Sequence, residues 1–282
     1  MIHVAHNRHL FQKFFFVLAA CFVASFLAAE PIVVVAGSAS KPVLEEAAQI
    51  YEARGLGTIT LMLGGSGELL SKVRLTGVGD LYLPGSHDFM EKAKSLGFIA
   101  TGSEKVFAYL VPALCVPASN PKMIQRLEDL ASPGVRVGIG HPETVCVGLY
   151  AVEILEKTGL AKQTKPNIVT YFDSCAKVAT AVAIGSVDVA LGWREFGFWA
   201  PKDITVIPLL SDQVLRIATL PGGLLTTSKQ KEAAIKFLDF LASPEGKTIY
   251  RKWGYLTEEA EVKALAPSAT IGGLFSLPDG WK

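Results

Sequence analysis

The sequence predicts an α/β fold. Short apolar strands alternate with amphipathic helices, the run "PIVVVA" at 31–36 is continuously apolar as a strand covered on both faces would be, and several strands stop at small polar residues that open a helix. With 282 residues, half of them hydrophobic, the chain can bury one large core or two ordinary ones. Its formal charge of +1 lacks the basic surplus that nucleic-acid or anionic-membrane binding leaves in a composition, so nucleic acid is not an expected partner.

The first 29 residues carry Arg8 and Lys13, no acid, and a largely apolar stretch of 16 residues from Phe14 to Ala29 that ends just before Glu30 and Pro31. This reads as a secretory signal peptide, the stretch being slightly short for a spanning helix; cleavage after Ala29 leaves 25 basic against 26 acidic residues. An uncleaved membrane anchor is the competing reading. A third comes from "LAAC" at 18–21, which resembles a lipid-attachment signal with Cys21 as the acylated residue, although the apolar "FVASFLAA" follows where a polar tether belongs. The protein is therefore expected in the periplasm. There the three remaining cysteines, Cys115, Cys146 and Cys175, permit one disulfide and one free thiol.

Next, "KPVLEEAAQIYEARG" puts Val43, Leu44, Ala47, Ala48, Ile50 and Tyr51 on one helical face, with Ser40 as the expected N-cap, Pro42 in the first turn and Gly55 at the stop. The unit recurs. "TITLMLGG" leads into "SGELLSKVRLTG", for which Ser66 is the expected cap, and "GDLYLPGS" leads into "HDFMEKAKSLG". Later "VRVGIGHPET" precedes "VCVGLYAVEILEKTG", "NIVTYFDS" precedes "CAKVATAVAIG", and "SVDVALGW" adds a strand. Two long apolar passages, "KVFAYLVPALCVPASNP", broken at Pro112 and Pro117, and "DITVIPLLSDQVLRIATLPGG", are read as crossings between two lobes. The first lobe is then 30–112 with 209–282, and the second is inserted at 113–208. The C-terminal "KEAAIKFLDFLASPEGKTIYRKWGY" is expected as two helices divided at Ser243 and Pro244, with Ser243 capping the second.

A helix start offers unpaired N–H groups and a partial positive charge, so several that converge can hold an anion without lysine or arginine. Ser38 would add a hydroxyl at the end of its strand, and Ser66 would do so from its own junction, where Gly64, Gly65 and Gly67 allow close backbone approach. The plain alternative is that each serine merely caps its helix. No GxxxxGK[ST] or complete GxGxxG occurs, so nucleotide binding has no support.

"VVVAGSAS", "GGSGELLSKV", "GDLYLPGS", "IGHPETVCVGLYAVEIL", "GSVDVALGW" and "FLASPEGKTIYRKWGY" together resemble the periplasmic molybdate-binding component of ABC importers, among the type II periplasmic binding proteins. The resemblance covers nearly the whole chain after the leader. It implies two lobes with central mixed sheets, a ligand cleft between them, a membrane permease as partner and a monomeric protein without cofactor or enzymatic activity. In that family two serines, two backbone N–H groups and a tyrosine surround the oxyanion. By motif position Ser38 and Ser66 match the serines, Val147 the first backbone donor, Cys175 (or Ala176) the second, and Trp193 the tyrosine. Trp193 is a departure, because indole donates one hydrogen bond from a larger, differently shaped ring. Cys146, where the family commonly has proline, and Arg194 are two more. Arg194 is expected to be solvated or structurally paired, the alternative being a charged fork toward the ligand.

Two other chemistries compete. Cys146 at a helix start, with His141 as base, would suit a cysteine enzyme, and that reading expects a lowered thiol pKa. A metal held by His141, Cys146 and Cys175 is the other reading, but their spacing fits no compact zinc pattern, and buried thiols or a Cys146–Cys175 disulfide are favoured over it. A neutral pocket of donors suits a fully deprotonated tetrahedral anion such as molybdate, tungstate or sulfate, whereas a protonated phosphate also needs an acceptor.

Overall fold

The structure, a computed structural model, describes residues 30–281. The expected leader and Cys21 lie outside the described residues. Among those described, no helix is long and apolar enough to cross a membrane.

The chain begins with strand β1 (Ile32–Gly37), a single 3-10 turn over Ser38–Ser40 and helix α1 (Lys41–Ala53). There follow β2 (Ile59–Gly64), α2 (Ser66–Thr76), β3 (Leu81–Leu83), α3 (His87–Ser95) and β4 (Lys105–Leu110). A second set comprises β5 (Pro112–Pro117), β6 (Val137–Gly140), α4 (Cys146–Lys157), α5 (Ala161–Thr164), β7 (Ile168–Phe172), α6 (Cys175–Ala183), β8 (Val189–Trp193), α7 (Phe196–Trp199) and β9 (Ile204–Pro208). The chain closes with β10 (Arg216–Leu224), α8 (Lys231–Ala242), α9 (Pro244–Lys252), α10 (Glu259–Leu265) and β11 (Thr270–Ile271).

Two mixed sheets result. The first runs β11-β10-β3-β1-β2, with β4 also paired to β10; the second runs β7-β6-β8-β5-β9. β1 is parallel to β2 on one side and to β3 on the other, and β6 lies likewise between parallel β7 and β8. Antiparallel partners complete each sheet: β10 against β3 and β4, and β5 against β8 and β9. This is the predicted α/β class with two lobes and mixed sheets. The chain passes from the first sheet to the second at Val111, between β4 and β5, and returns between β9 and β10.

The helices form because their apolar positions share a face. α1 buries Val43, Leu44, Ala47, Ala48 and Tyr51, while Ile50, predicted on the same face, is half-buried at its edge. α8 buries Phe237 and Leu238 completely, and Tyr51 meets the Phe237 ring edge-on at 5.0 Å. Deleting a side chain such as Phe237 would cost about 3–5 kcal/mol. Ser243 caps α9 as predicted, its hydroxyl accepting from the Gly246 N–H at 3.2 Å. After β11 the tail crosses to the second lobe. Trp281 is buried in the core beneath the second sheet, its indole N–H donates to Glu156 at 2.5 Å, and Lys165 Nζ lies 4.1 Å from its ring centre.

Candidate functional site

Ligands of open α/β sheets collect beyond the carboxyl ends of the parallel strands, where neighbouring strands lead their helices away in different directions. All five sequence-predicted site residues stand at such ends. Ser38 follows β1, Ser66 follows β2, Val147 follows β6 by way of the α4 start, Cys175 follows β7, and Trp193 is the last residue of β8. They are drawn from both lobes, and all are at most 3% exposed.

Neither serine acts as a helix cap. Ser38 Oγ accepts a hydrogen bond from the Ala176 N–H at 3.1 Å, joining the end of β1 to the first turn of α6 across the lobes. Ser66 is the first residue inside α2 rather than its N-cap, and its Oγ accepts from the Gly85 N–H at 3.0 Å, while the Tyr82 hydroxyl donates to the Ser66 carbonyl at 2.8 Å. Ser40 occupies the N-cap position of α1 yet makes no side-chain cap bond. Tertiary partners have replaced the local ones, which leaves the hydroxyl protons of Ser38 and Ser66 available to a ligand. The lobes touch again where the Gly67 N–H donates to the Thr144 carbonyl at 2.8 Å.

The two helix-start thiols meet at the same place. Cys146 and Cys175, 29 residues apart, bring their sulfurs to 3.4 Å and form no disulfide. Gly85 leaves room for them: a Cβ there would fall 2.5 Å from Cys146 Sγ. Burial, together with the neighbouring Cys175, pushes the Cys146 thiol well above its ordinary range, the opposite of what an activated cysteine nucleophile requires. At Cys175 burial is outweighed by the Cys146 thiol, the Val147 N–H and the Trp193 indole, which hold it below the usual thiol value. His141 does not serve Cys146 as a base. Its ring centre lies 6.1 Å from that of Tyr171, its backbone N–H donates to the Phe172 carbonyl at 2.7 Å, and its buried Nδ1 bonds no group, the Cys146 thiol included.

Trp193 is fully buried and meets Tyr150 edge to face at 5.2 Å, one helical turn beyond Cys146. Its Nε1–H has no hydrogen bond of normal geometry, although it lies close enough to both sulfurs to favour their charged forms. The buried Tyr150 hydroxyl and Ser86 Oγ likewise lack partners. An unpaired buried donor is costly, so this group suits a guest that accepts hydrogen bonds. Phe198 is 47% exposed and lies under the Arg194 guanidinium. Arg194 is structurally paired as expected, donating to the Gly254 carbonyl and lying 3.5 Å from Glu195.

Sequence reasoning missed the ion cluster beside this site. Arg216, on β10 and 6% exposed, bonds Glu153 of α4 at 2.6 Å and Asp88 of α3 at 3.2 Å, and its guanidinium stands 4.3 Å from the Tyr150 ring centre. Two grooves open where the lobes meet. One of about 290 Å³ lies among Lys41, Glu45, Ala176, Trp199 and Trp253, and one of about 430 Å³ among Glu68, Lys72, Asp173 and Lys177. Away from the site, His87, Glu91 and Glu104 bring possible metal-ligand atoms within 4.8 Å of one another, but Lys94 Nζ already bonds both glutamates, at 2.6 and 2.9 Å.

A family model described as "Bacterial extracellular solute-binding protein" matches residues 32–256. The molybdate-binding protein of Rhodobacter capsulatus is 28% identical over 242 residues, 82% of this chain and 90% of that protein. That of Azotobacter vinelandii is 25% identical over 248 residues, 81% and 90% of the two chains. Among solved structures, the A. vinelandii periplasmic molybdate-binding protein superposes with a TM-score of 0.72 at 18% identity, covering 80% of this chain and 99% of that one. The sulfate-binding protein SubI of Mycobacterium tuberculosis does so with a TM-score of 0.71 at 16% identity, covering 86% and 93%. With two mixed sheets joined by crossings and a polar site at the strand ends, the chain belongs to the bacterial extracellular solute-binding proteins and has their type II periplasmic binding fold.

Proposed function

We propose that the protein captures a tetrahedral oxyanion, molybdate or tungstate, between its lobes and delivers it to the membrane permease of an ABC importer, acting in the periplasm as a monomer without a catalytic step. The observation that carries this reading is the Ser38–Ala176 hydrogen bond, which brings a strand-end hydroxyl of one lobe against a helix start of the other. Around it Ser66, the N–H groups opening α4 and α6, and the unpaired Trp193 Nε1–H form a set of neutral donors with no basic side chain among them. Such donors neutralise an anion through aligned dipoles, and a lobe that closes over it excludes water. The relatives named as molybdate-binding support the choice of anion. Sulfate is the competing guest, because it asks for the same tetrahedral set of donors. Isothermal titration with molybdate, tungstate, sulfate, thiosulfate and phosphate tests the reading: molybdate or tungstate should bind one per chain and most tightly. Preferred binding of sulfate would reassign the ligand, and no binding of any of the five would overturn the proposal.

A further inference from the structure

We infer that Cys146 and Cys175 form a dithiol site for a neutral trivalent oxyacid of the arsenous-acid class, bound through both sulfurs in the same cleft. The inference rests on reading the cleft as a ligand site, and not on which tetrahedral anion fills it.

Two cysteines that open different helices bring their sulfurs to 3.4 Å, both residues being at most 2% exposed. This is far from the roughly 2.05 Å of a disulfide. It is also less than the roughly 3.8 Å that two bonds of about 2.3 Å enclose at a tetrahedral zinc ion. A pyramidal trivalent centre has narrower bond angles and draws two sulfurs closer than a tetrahedral one does. The surroundings are built for a guest with oxygen atoms: Trp193 Nε1–H, 0% exposed, points its unpaired donor toward the sulfurs, and the Ser38 and Ser66 hydroxyls retain their protons. Gly85 completes the fit, since any side chain there would displace Cys146 Sγ.

The binding step balances without an oxidant. Each sulfur attacks the trivalent centre and displaces one hydroxyl, so that two bonds from sulfur form and two bonds from oxygen break. The two thiol protons leave with those hydroxyls as two water molecules. The third hydroxyl remains on the centre, where the Trp193 indole N–H can donate to its oxygen. No electron is transferred.

The test is titration of sodium arsenite into the protein produced from the full-length sequence and kept reduced, followed by calorimetry, native mass spectrometry and thiol counting. One arsenite should bind per chain, protecting two thiols from alkylation, and Cys115→Ala should bind as the parent does. Cys146→Ser and Cys175→Ser should each weaken binding at least a hundredfold with melting temperatures close to the parent's. Should either variant fail to fold, peptide mapping of the parent decides: arsenite should slow alkylation of Cys146 and Cys175 and leave Cys115 unaffected. Absence of arsenite binding to the reduced, folded parent would overturn the inference, as would binding that survives both substitutions or protects other cysteines. Molybdate titrated into the same samples separates the two proposals. Arsenite binding without molybdate binding sinks the oxyanion reading alone, and molybdate binding without arsenite sinks the dithiol site alone.

Discussion

Glu195 should make the protein less stable as pH rises, and its replacement by glutamine should remove that dependence. The carboxyl is fully buried between β8 and α7, and neither oxygen has a hydrogen-bond partner; the nearest cation is Arg194, 3.5 Å away. Burial, only partly opposed by Arg194, raises its pKa from the ordinary 4.5 to about 8. Below pH 4.5 both folded and unfolded chains hold the proton, and the stability this group contributes is fully present. Between 4.5 and 8 the unfolded chain releases the proton while the native protein keeps it, so stability falls by about 1.4 kcal/mol for each pH unit. The whole window amounts to something on the order of 4–5 kcal/mol, an upper figure because water entry relaxes buried charges. Urea unfolding of the parent and Glu195→Gln from pH 5 to pH 9 measures this directly. The variant should be close to the parent at pH 5 and gain on it by several kcal/mol at pH 8.5. Parallel pH profiles for the two proteins would refute the reasoning.

Three further outcomes are expected. Arg216→Ala strands Asp88 and Glu153 as buried carboxylates between the lobes and should cost about 3–5 kcal/mol in urea unfolding, whereas Arg216→Lys should restore part of it; a loss below about 1 kcal/mol would show that the cluster is incidental. A Cβ at Gly65 would lie 2.6 Å from the Asp173 carbonyl, so Gly65→Ala should hold the lobes apart, weakening ligand binding and enlarging the radius of gyration of the loaded protein in solution scattering. An unchanged radius and affinity would count against closure at this contact. Trp193→Phe should lose the ligand-dependent fluorescence change and about tenfold in affinity, one hydrogen bond to a charged guest being removed; a surviving signal with parental affinity would reject a site role for the indole.

The fold was legible because its signals are local. "PIVVVA" reads as a doubly covered strand and supplies most of β1, which is flanked by strands on both sides, and the crossings at Val111 and after Pro208 fall within long apolar runs interrupted by turn residues. The placing of the candidate residues was legible in part for the same reason, since Ser38, Ser66 and Cys175 all sit where a strand gives way to a helix. Local rules failed where a distant partner competes. Ser66 reads as a cap until Gly85, 19 residues on, supplies a backbone donor to its hydroxyl. A helix start alone reads as lowering the Cys146 thiol, until the fold buries it against Cys175, 29 residues on. Nothing local joins Arg216 to Glu153, 63 residues away, or predicts that Glu195 is sealed from water. Tyr150 had a signal that sequence could have used: it stands four residues after Cys146, on the same helical face.

Calorimetric titration of molybdate into the parent, Ser38→Ala and Ser66→Ala proteins tests the central claim most directly, with melting curves beside each titration. The parent should bind one molybdate per chain, and each variant should bind ten- to hundredfold more weakly, the effect of removing one hydroxyl, about 1.5–3 kcal/mol, from a buried charged guest. Melting temperatures should fall modestly, since each substitution takes the acceptor from a backbone N–H, that of Ala176 or of Gly85, and the affinities are compared at a temperature where all three proteins are folded. Both variants binding molybdate as the parent does, or a parent that binds none, would contradict the account.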